Sequence, residues 1–288
     1  LEIIWRQAPK VTGRGHYSHR IAFSPDGEHI FLASGERQKM EPSQDEQSHL
    51  GKIVRLELDG TPAGDGAIDG ALPDIWSMGH RNILGMDFDA QGLLWEVEHG
   101  PAGGDELNLV QKGANYGWPL RSNGEHYDGG AITDHSADDG FAKAAIGWTP
   151  VIAPGSMTFY TGDLFDGLAG NLLIAGLKSQ AIVRVAIDGE TATETARYDM
   201  GARIREIVEG PDGALWVLED GEGGQSRGVA GGEPDGDLTL GLLHGIGTSS
   251  AITDILSYHW NPYPEHSPIP YHGTSTSLPN TSPASRSS

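Results

Sequence analysis

The chain of 288 residues has no cysteine. Disulfides, zinc–thiolate centres and thiol nucleophiles are therefore excluded. No apolar run approaches the about 20 residues that a membrane-spanning helix needs, and no leader peptide is visible. No convincing amphipathic helix can be traced. Basic residues are scarce: 19 Lys and Arg stand against 40 Asp and Glu, a net charge of −21. A negative field of that size disfavours nucleic-acid phosphate and anionic lipid surfaces. It also means that a site for an anion has to gather several of the few cations in one place.

What is abundant is turn chemistry. The chain carries 42 Gly and 17 Pro, and its 7 Trp and 8 Tyr suit strands better than helices. Three segments repeat one pattern: "FSPDGEHIFLASGE" (Phe23 to Glu36), "FDAQGLLWEVEHG" (Phe88 to Gly100) and "EGPDGALWVLEDG" (Glu209 to Gly221). Each has a turn ending in Gly, an apolar stretch of strand length, and Gly again beside an acid or His. "KIVRLELDG" (Lys52 to Gly60) and "AIVRVAIDG" (Ala181 to Gly189) both alternate and then turn at Asp-Gly, a hairpin signal. The Gly-turn copies recur at roughly 60 residues or twice that, the mark of a repeated blade. This predicts an all-β protein of β-propeller type over residues 1–224, with a β-sandwich as the competing architecture. The opening "LEIIWRQAPK" reads as mid-strand. Residues 225–288 carry no copy of the blade pattern. They form an atypical segment whose Pro/Ser/Thr-rich end, beyond Pro262, is expected to be disordered.

Candidate chemistry lies in the loops. Arg203 and Arg205, two apart in "ARIREIV", share one face if the segment is a strand. Lys178 follows the strand Leu172 to Ile174, and Arg81 lies in "GHRN". If these converge they make a pocket for a small polyanion; the competing reading is surface charge with local acid partners, such as Arg205 with Glu206 or Glu209. His16 precedes a strand and is the natural general base, with Glu36 placed to orient it; an exposed loop histidine is the alternative. The loop "HGPAGGDELNLVQKGANYGW" offers the carbonyls of Gly100 and Pro101 to Ca2+, with Glu106 and the Tyr116 carbonyl for a second ion. A glycine-rich loop with solvated acids remains equally open.

"GHRN", "EHGPAGGDELNLVQKGANYGWP", "GLKSQAIVRV" and "RIREIVEGPDGALWVLEDG", in that order across Ile3 to Gly224, resemble the soluble PQQ-dependent aldose sugar dehydrogenases. That family is related to soluble quinoprotein glucose dehydrogenase, a six-bladed β-propeller. The resemblance implies PQQ over the propeller mouth with Ca2+ beneath it. His16 matches the general base and Glu36 the acid that orients it. Arg81 and Asn82 match cofactor and substrate contacts. Lys178, Arg203 and Arg205 match residues that hold PQQ. Gly100 and Pro101 match the ligands of the catalytic Ca2+, and Glu106 and Tyr116 those of a structural one. Trp148 resembles an aromatic beside the sugar. The implied partners are an aldose and an external electron acceptor (quinone, cytochrome or dye), in a periplasmic or secreted setting.

The chain departs from the family pattern in places. Ile83 and Leu84 replace Pro-Gln after "GHRN", and "APGSM" replaces "APSGM". By repeat length, about one blade is expected to precede Leu1, so the propeller is expected to be incomplete. Two other functions compete: a Ca2+-dependent propeller lactonase or hydrolase, and an inactive propeller fragment or interaction scaffold. Nothing in the sequence indicates an oligomeric state.

Overall fold

The structure is a computed structural model that describes residues 2–64 and 66–221, with the backbone of 226–231 and 240–242. It is all-β among the described residues, with a single 3₁₀ turn at Glu41–Gln44. Sixteen strands form four four-stranded antiparallel sheets.

The first sheet holds β1 (Ser18–Phe23), β2 (His29–Ser34), β3 (Lys52–Glu57) and β4 (Ile75–Met78). The second holds β5 (Ile83–Phe88), β6 (Leu94–Glu98), β7 (Asp105–Leu109) and β8 (Ile146–Trp148). The third holds β9 (Pro154–Phe159), β10 (Leu172–Gly176), β11 (Ala181–Asp188) and β12 (Thr191–Asp199). The fourth holds β13 (Ile204–Glu209), β14 (Leu215–Asp220), β15 (Ser226–Gly231) and β16 (Leu240–Leu242). Each sheet is a meander, so strand order within it follows chain order. The first strands pack side by side: β5 touches β1 and β9, and β9 touches β13. First strands placed together around an axis, with sheets radiating from them, make a propeller. The described sheets are four blades that do not close into a ring, as expected for an incomplete propeller.

The turn pattern explains the repeats. The three Gly-turn copies are the first hairpins of blades one, two and four, β1–β2, β5–β6 and β13–β14. Blade three turns differently between β9 and β10, around buried Tyr160, whose hydroxyl donates to the Gly213 carbonyl at 2.9 Å. That substitution accounts for the doubled interval in the sequence. The two Asp-Gly segments are the third strands of blades one and three, β3 and β11.

The core lies between blades. Trp95, Val97 and Leu107 of blade two pack on Met157, Leu172, Ile174 and Val183 of blade three. Leu173, Ala175 and Ile182 on the other side of blade three pack on Ile204, Ile207 and Leu215 of blade four. Alternation along each central strand therefore feeds two different interfaces, which is why these strands read as continuous apolar runs.

Two expectations differ from the structure. Residues 2–10 form no strand; side chains fasten them to blade one, with Trp5 Nε1 donating to Asp74 at 2.9 Å and Gln7 to Ser34 Oγ at 2.6 Å. Bonds to side chains replace the ladder that the apolar spacing suggested. β15 and β16 lie beyond residue 224, so the fourth blade runs into the stretch expected to lack blade structure. The expected disorder beyond Pro262 lies outside the described residues.

Candidate active site

The strand registers decide which loops share an end. β1 begins at Ser18 opposite Ser34, the end of β2, and Ser34 also opposes Lys52, the start of β3. The same pattern in the other blades sets Ile83 beside Glu98, Pro154 beside Gly176 and Ile204 beside Glu219. Contacts between blades align these ends. Ser18 N–H donates to Asn82 Oδ1 at 3.2 Å, His99 Nε2 meets the Pro154 carbonyl at 2.7 Å, and Ile207 N–H donates to Ser156 Oγ at 2.8 Å. The loops carrying His16, Glu36, Arg81, Gly100, Lys178 and Arg203 thus all open at one end, the mouth.

In these loops His16 Nδ1 is hydrogen-bonded to Glu36 Oε1. Glu36 is buried, and its other oxygen accepts the N–H groups of Lys39 and Met40, the latter at 2.7 Å. Burial alone would raise the Glu36 pKa, but the bonds from His16 and the two N–H groups hold it below its ordinary value. The carboxylate is therefore ionised and fixed, and it fixes the ring. The His16 Nε2 atom has no partner among the described residues.

Arg81 adjoins this pair. Its carbonyl accepts Glu36 N–H at 3.0 Å, and its guanidinium donates to the His99 carbonyl at 3.0 Å and lies over the Trp118 ring at 5.2 Å. Arg81 is only 4% exposed, and its Nε has no partner. A buried donor without an acceptor costs free energy, so this one suits an incoming anionic or carbonyl group. Glu98 positions the turn by accepting the backbone N–H groups of Arg81 at 2.6 Å and Asn82 at 3.1 Å. Burial pushes the His99 pKa down to about 4, with the charges of Arg81, His16 and Arg205 adding to the effect.

Lys178 is exposed, and its ammonium has no partner among the described residues. Arg203 and Arg205 both reach Asp220, at 3.2 and 2.6 Å. Their partner is thus a residue of β14 rather than Glu206 or Glu209. Glu206 instead pairs with Arg20 at 2.9 Å, across from β1, and Glu209 accepts Thr161 N–H at 2.6 Å. The Asp220 pairs are partly solvated, and such pairs contribute little, so a carboxylate-rich ligand can compete for both arginines.

Gly100, Pro101, Glu106 and Tyr116 line one cavity of about 20 Å³, together with Glu98. That volume holds a single water or ion. A Cβ on Gly100 would lie 2.2 Å from the carbonyl oxygens of both Gly103 and Gly104. Only glycine allows those oxygens so close, and a concentration of backbone oxygens suits a hard cation. The two candidate calcium pairs border the same space. Asp105 braces the loop, accepting Gly100 N–H at 2.9 Å and Ala153 N–H at 2.6 Å. Burial, opposed in part by those N–H groups, raises its pKa to about 6. Burial and the charges of Glu98 and Glu96 push Glu106 up to about 8. A carboxyl so unfavourably charged is a group that a cation would relieve.

Trp148 departs from its expected place beside a sugar. It is 5% exposed within the apolar cluster between blades two and three, and its indole N–H donates to Glu194 at 2.7 Å. Its ring is part of the core. Conversely, Arg20, His80, Glu96, Glu98 and His99 escaped the reading of the sequence. The alternation "EVEH" carried a signal, since Glu96 and Glu98 must share a face in any strand.

The family model described as Glucose / Sorbosone dehydrogenase matches residues 1–227. The aldose sugar dehydrogenase YliI of Escherichia coli K12 is 37% identical over 230 residues, covering 77% of this chain and 62% of the relative. The chain thus spans about three fifths of the length of that relative. A crystal structure of a glucose dehydrogenase superposes with a TM-score of 0.75 at 34% identity, covering 81% of this chain and 68% of the other. The PQQ-bound form of an aldose sugar dehydrogenase from Streptomyces coelicolor gives 0.58 at 29% identity, covering 76% and 62%. The match of the family model over residues 1–227 and the 37% identity to the YliI relative over 77% of the chain place this chain in the glucose/sorbosone dehydrogenase family.

Proposed function

We propose that the protein oxidises the C1 hydroxyl of an aldose to the lactone, with PQQ as hydride acceptor and Ca2+ as Lewis acid. The observation that carries this reading is the His16–Glu36 pair set against a buried Arg81 whose Nε lacks a partner. The residues present fit both groups. Lys178, Arg203 and Arg205, on loops of the same end, are the cations for the three carboxylates of PQQ, and Gly100 and Pro101, which line the small cavity with Arg81, offer oxygens to Ca2+. When bound, PQQ and Ca2+ supply the polarised ortho-quinone that receives hydride.

The chain's own residues do the rest. His16 Nε2 takes the proton of the C1 hydroxyl as hydride leaves C1. Glu36 holds the ring in the tautomer that needs that proton and stabilises the imidazolium that results. Arg81 faces the negative charge that develops on the acceptor, and Asn82 contacts cofactor and substrate beside it. An external acceptor, whether quinone, cytochrome or dye, then removes the electrons. A periplasmic or secreted setting agrees with the lack of cysteine.

Titration of the protein with PQQ and Ca2+, followed by a glucose-dependent dye assay, tests the proposal. A saturable spectral change and dye reduction are expected. In the Lys178→Ala/Arg203→Ala double variant PQQ affinity should fall about 100-fold or more, since each charge-assisted contact contributes about 1.5–3 kcal/mol. An unchanged affinity would overturn the assignment of this pocket.

A further inference from the structure

A second group of ionisable side chains lies behind the mouth and shares Glu98 with it. β6 and β7 pair with Glu96 opposite Asn108 and Glu98 opposite Glu106. These four side chains share one face of the two strands, while Val97 and Leu107 feed the core on the other. The polar face is not solvated. Glu96 and Asn108 are fully buried and Glu98 is 5% exposed, because the loop after β4 covers them with His80, itself stacked on Tyr116 at 4.6 Å.

The contacts inside this group are incomplete. His80 Nδ1 is 3.5 Å from Glu96 Oε1 and 3.4 Å from Glu98 Oε1, too long for good hydrogen bonds. Asn108 donates to Glu96 Oε1 at 2.7 Å, yet Asn108 Oδ1 and Glu96 Oε2 are buried with no partner at all. Two orphaned acceptors beside adjacent carboxylates call for positive charge. Ligand atoms of His80, Glu96 and Glu98 lie within 4.8 Å of one another. Two ligands about 2.1 Å from one tetrahedral ion are themselves about 3.4 Å apart, as His80 Nδ1 is from each carboxylate. His80 Nε2 meets Ser77 Oγ at 2.8 Å, an outer contact that orients the ring, and a cation bound here would take the place of a proton on Nδ1.

We propose that His80, Glu96 and Glu98 bind one first-row divalent cation of the zinc or manganese type, with Asn108 Oδ1 as a further oxygen donor. The imidazole separates this site from calcium chemistry, which favours oxygen ligands alone. Glu98 also holds the Arg81–Asn82 backbone, so the ion braces one wall of the mouth from behind. The inference does not depend on the sugar-oxidation reading.

The test uses the full chain, stripped with chelator and returned to excess Ca2+. Zn2+ is titrated by calorimetry, and Mn2+ by electron paramagnetic resonance with detection of nitrogen coupling. The expected result is one Mn2+ or Zn2+ per chain, undisplaced by Ca2+, with coupling from one imidazole nitrogen. Glu96→Gln should weaken the affinity about 100-fold, while Asp26→Asn, in the exposed Asp26/Glu28/His29 group, should leave it unchanged. If Glu96→Gln does not fold, the nitrogen coupling in the unaltered chain decides. No binding in the presence of Ca2+, Mn2+ bound without nitrogen coupling, or loss of binding in Asp26→Asn would each overturn the site.

Discussion

The two ends of the blades are built on different principles. At the end away from the mouth, the first hairpins turn on Gly27, Gly92 and Gly213, each with φ between 73° and 79°. Neighbouring side chains in the same turn satisfy the backbone: Asp89 accepts the N–H groups of Gln91 at 2.9 Å and Leu93 at 2.8 Å. At the mouth, left-handed conformations fall on residues other than glycine as well as on glycines such as Gly79, Gly103 and Gly104. His16, Ser18, His19, Arg37, Gln38, Met40, Ala153 and Gln180 all have positive φ, and all lie in mouth loops or at the first residues of β1. Such conformations cost about 1–3 kcal/mol each and persist only where the surroundings impose them. One end is made for turning cheaply; the other holds side chains where chemistry requires them.

That contrast can be attacked from both sides. The largest effect is expected at His16. His16→Gln should lower kcat about 10²- to 10⁴-fold while the melting temperature stays nearly constant. A comparable loss of stability with unaltered turnover would mean that the mouth is strained for structural reasons alone. The opposite pattern is expected at Asp89, which also accepts the indole N–H of buried Trp95 at 3.0 Å. Asp89→Ala leaves that donor unpaired and should cost about 1–3 kcal/mol in chemical denaturation, with kcat unchanged. A drop in kcat there would break the division of labour. The smallest effect concerns Asp220, which shares Arg203 and Arg205 with any incoming anion. Asp220→Asn should tighten PQQ binding by no more than about fivefold, the scale of a partly solvated ion pair. Weaker binding would show that Asp220 holds the arginines in position rather than competing for them.

The same contrast explains what was readable in the sequence. Local chemistry writes the far end, so turns ending in Gly mark three first hairpins and Asp-Gly marks two third strands in the sequence itself. Blade three escaped because its turn depends on Tyr160, whose partner is 53 residues away. The mouth is written in long-range contacts: Ser18 to Asn82 spans 64 residues and Arg20 to Glu206 spans 186. Taken singly, Lys178, Arg203 and Arg205 are ordinary surface cations, and only the strand registers put them at one end. Trp148 was misplaced for the same reason, since its Glu194 partner belongs to another blade. Glu96 and Glu98 alternated in plain view, but charged residues at period two read as a wet face. Burial of that face comes from His80 of the neighbouring blade, which no local pattern announces.

The most direct test of the central claim is a structure of the protein with PQQ and Ca2+ bound. The account predicts the carboxylates of PQQ among Lys178, Arg203 and Arg205, its quinone oxygens facing Arg81, the ion on the carbonyls of Gly100 and Pro101, and His16 Nε2 open to the sugar side. PQQ lodged at the far end of the blades, or at the mouth without contact to those three cations, would contradict it.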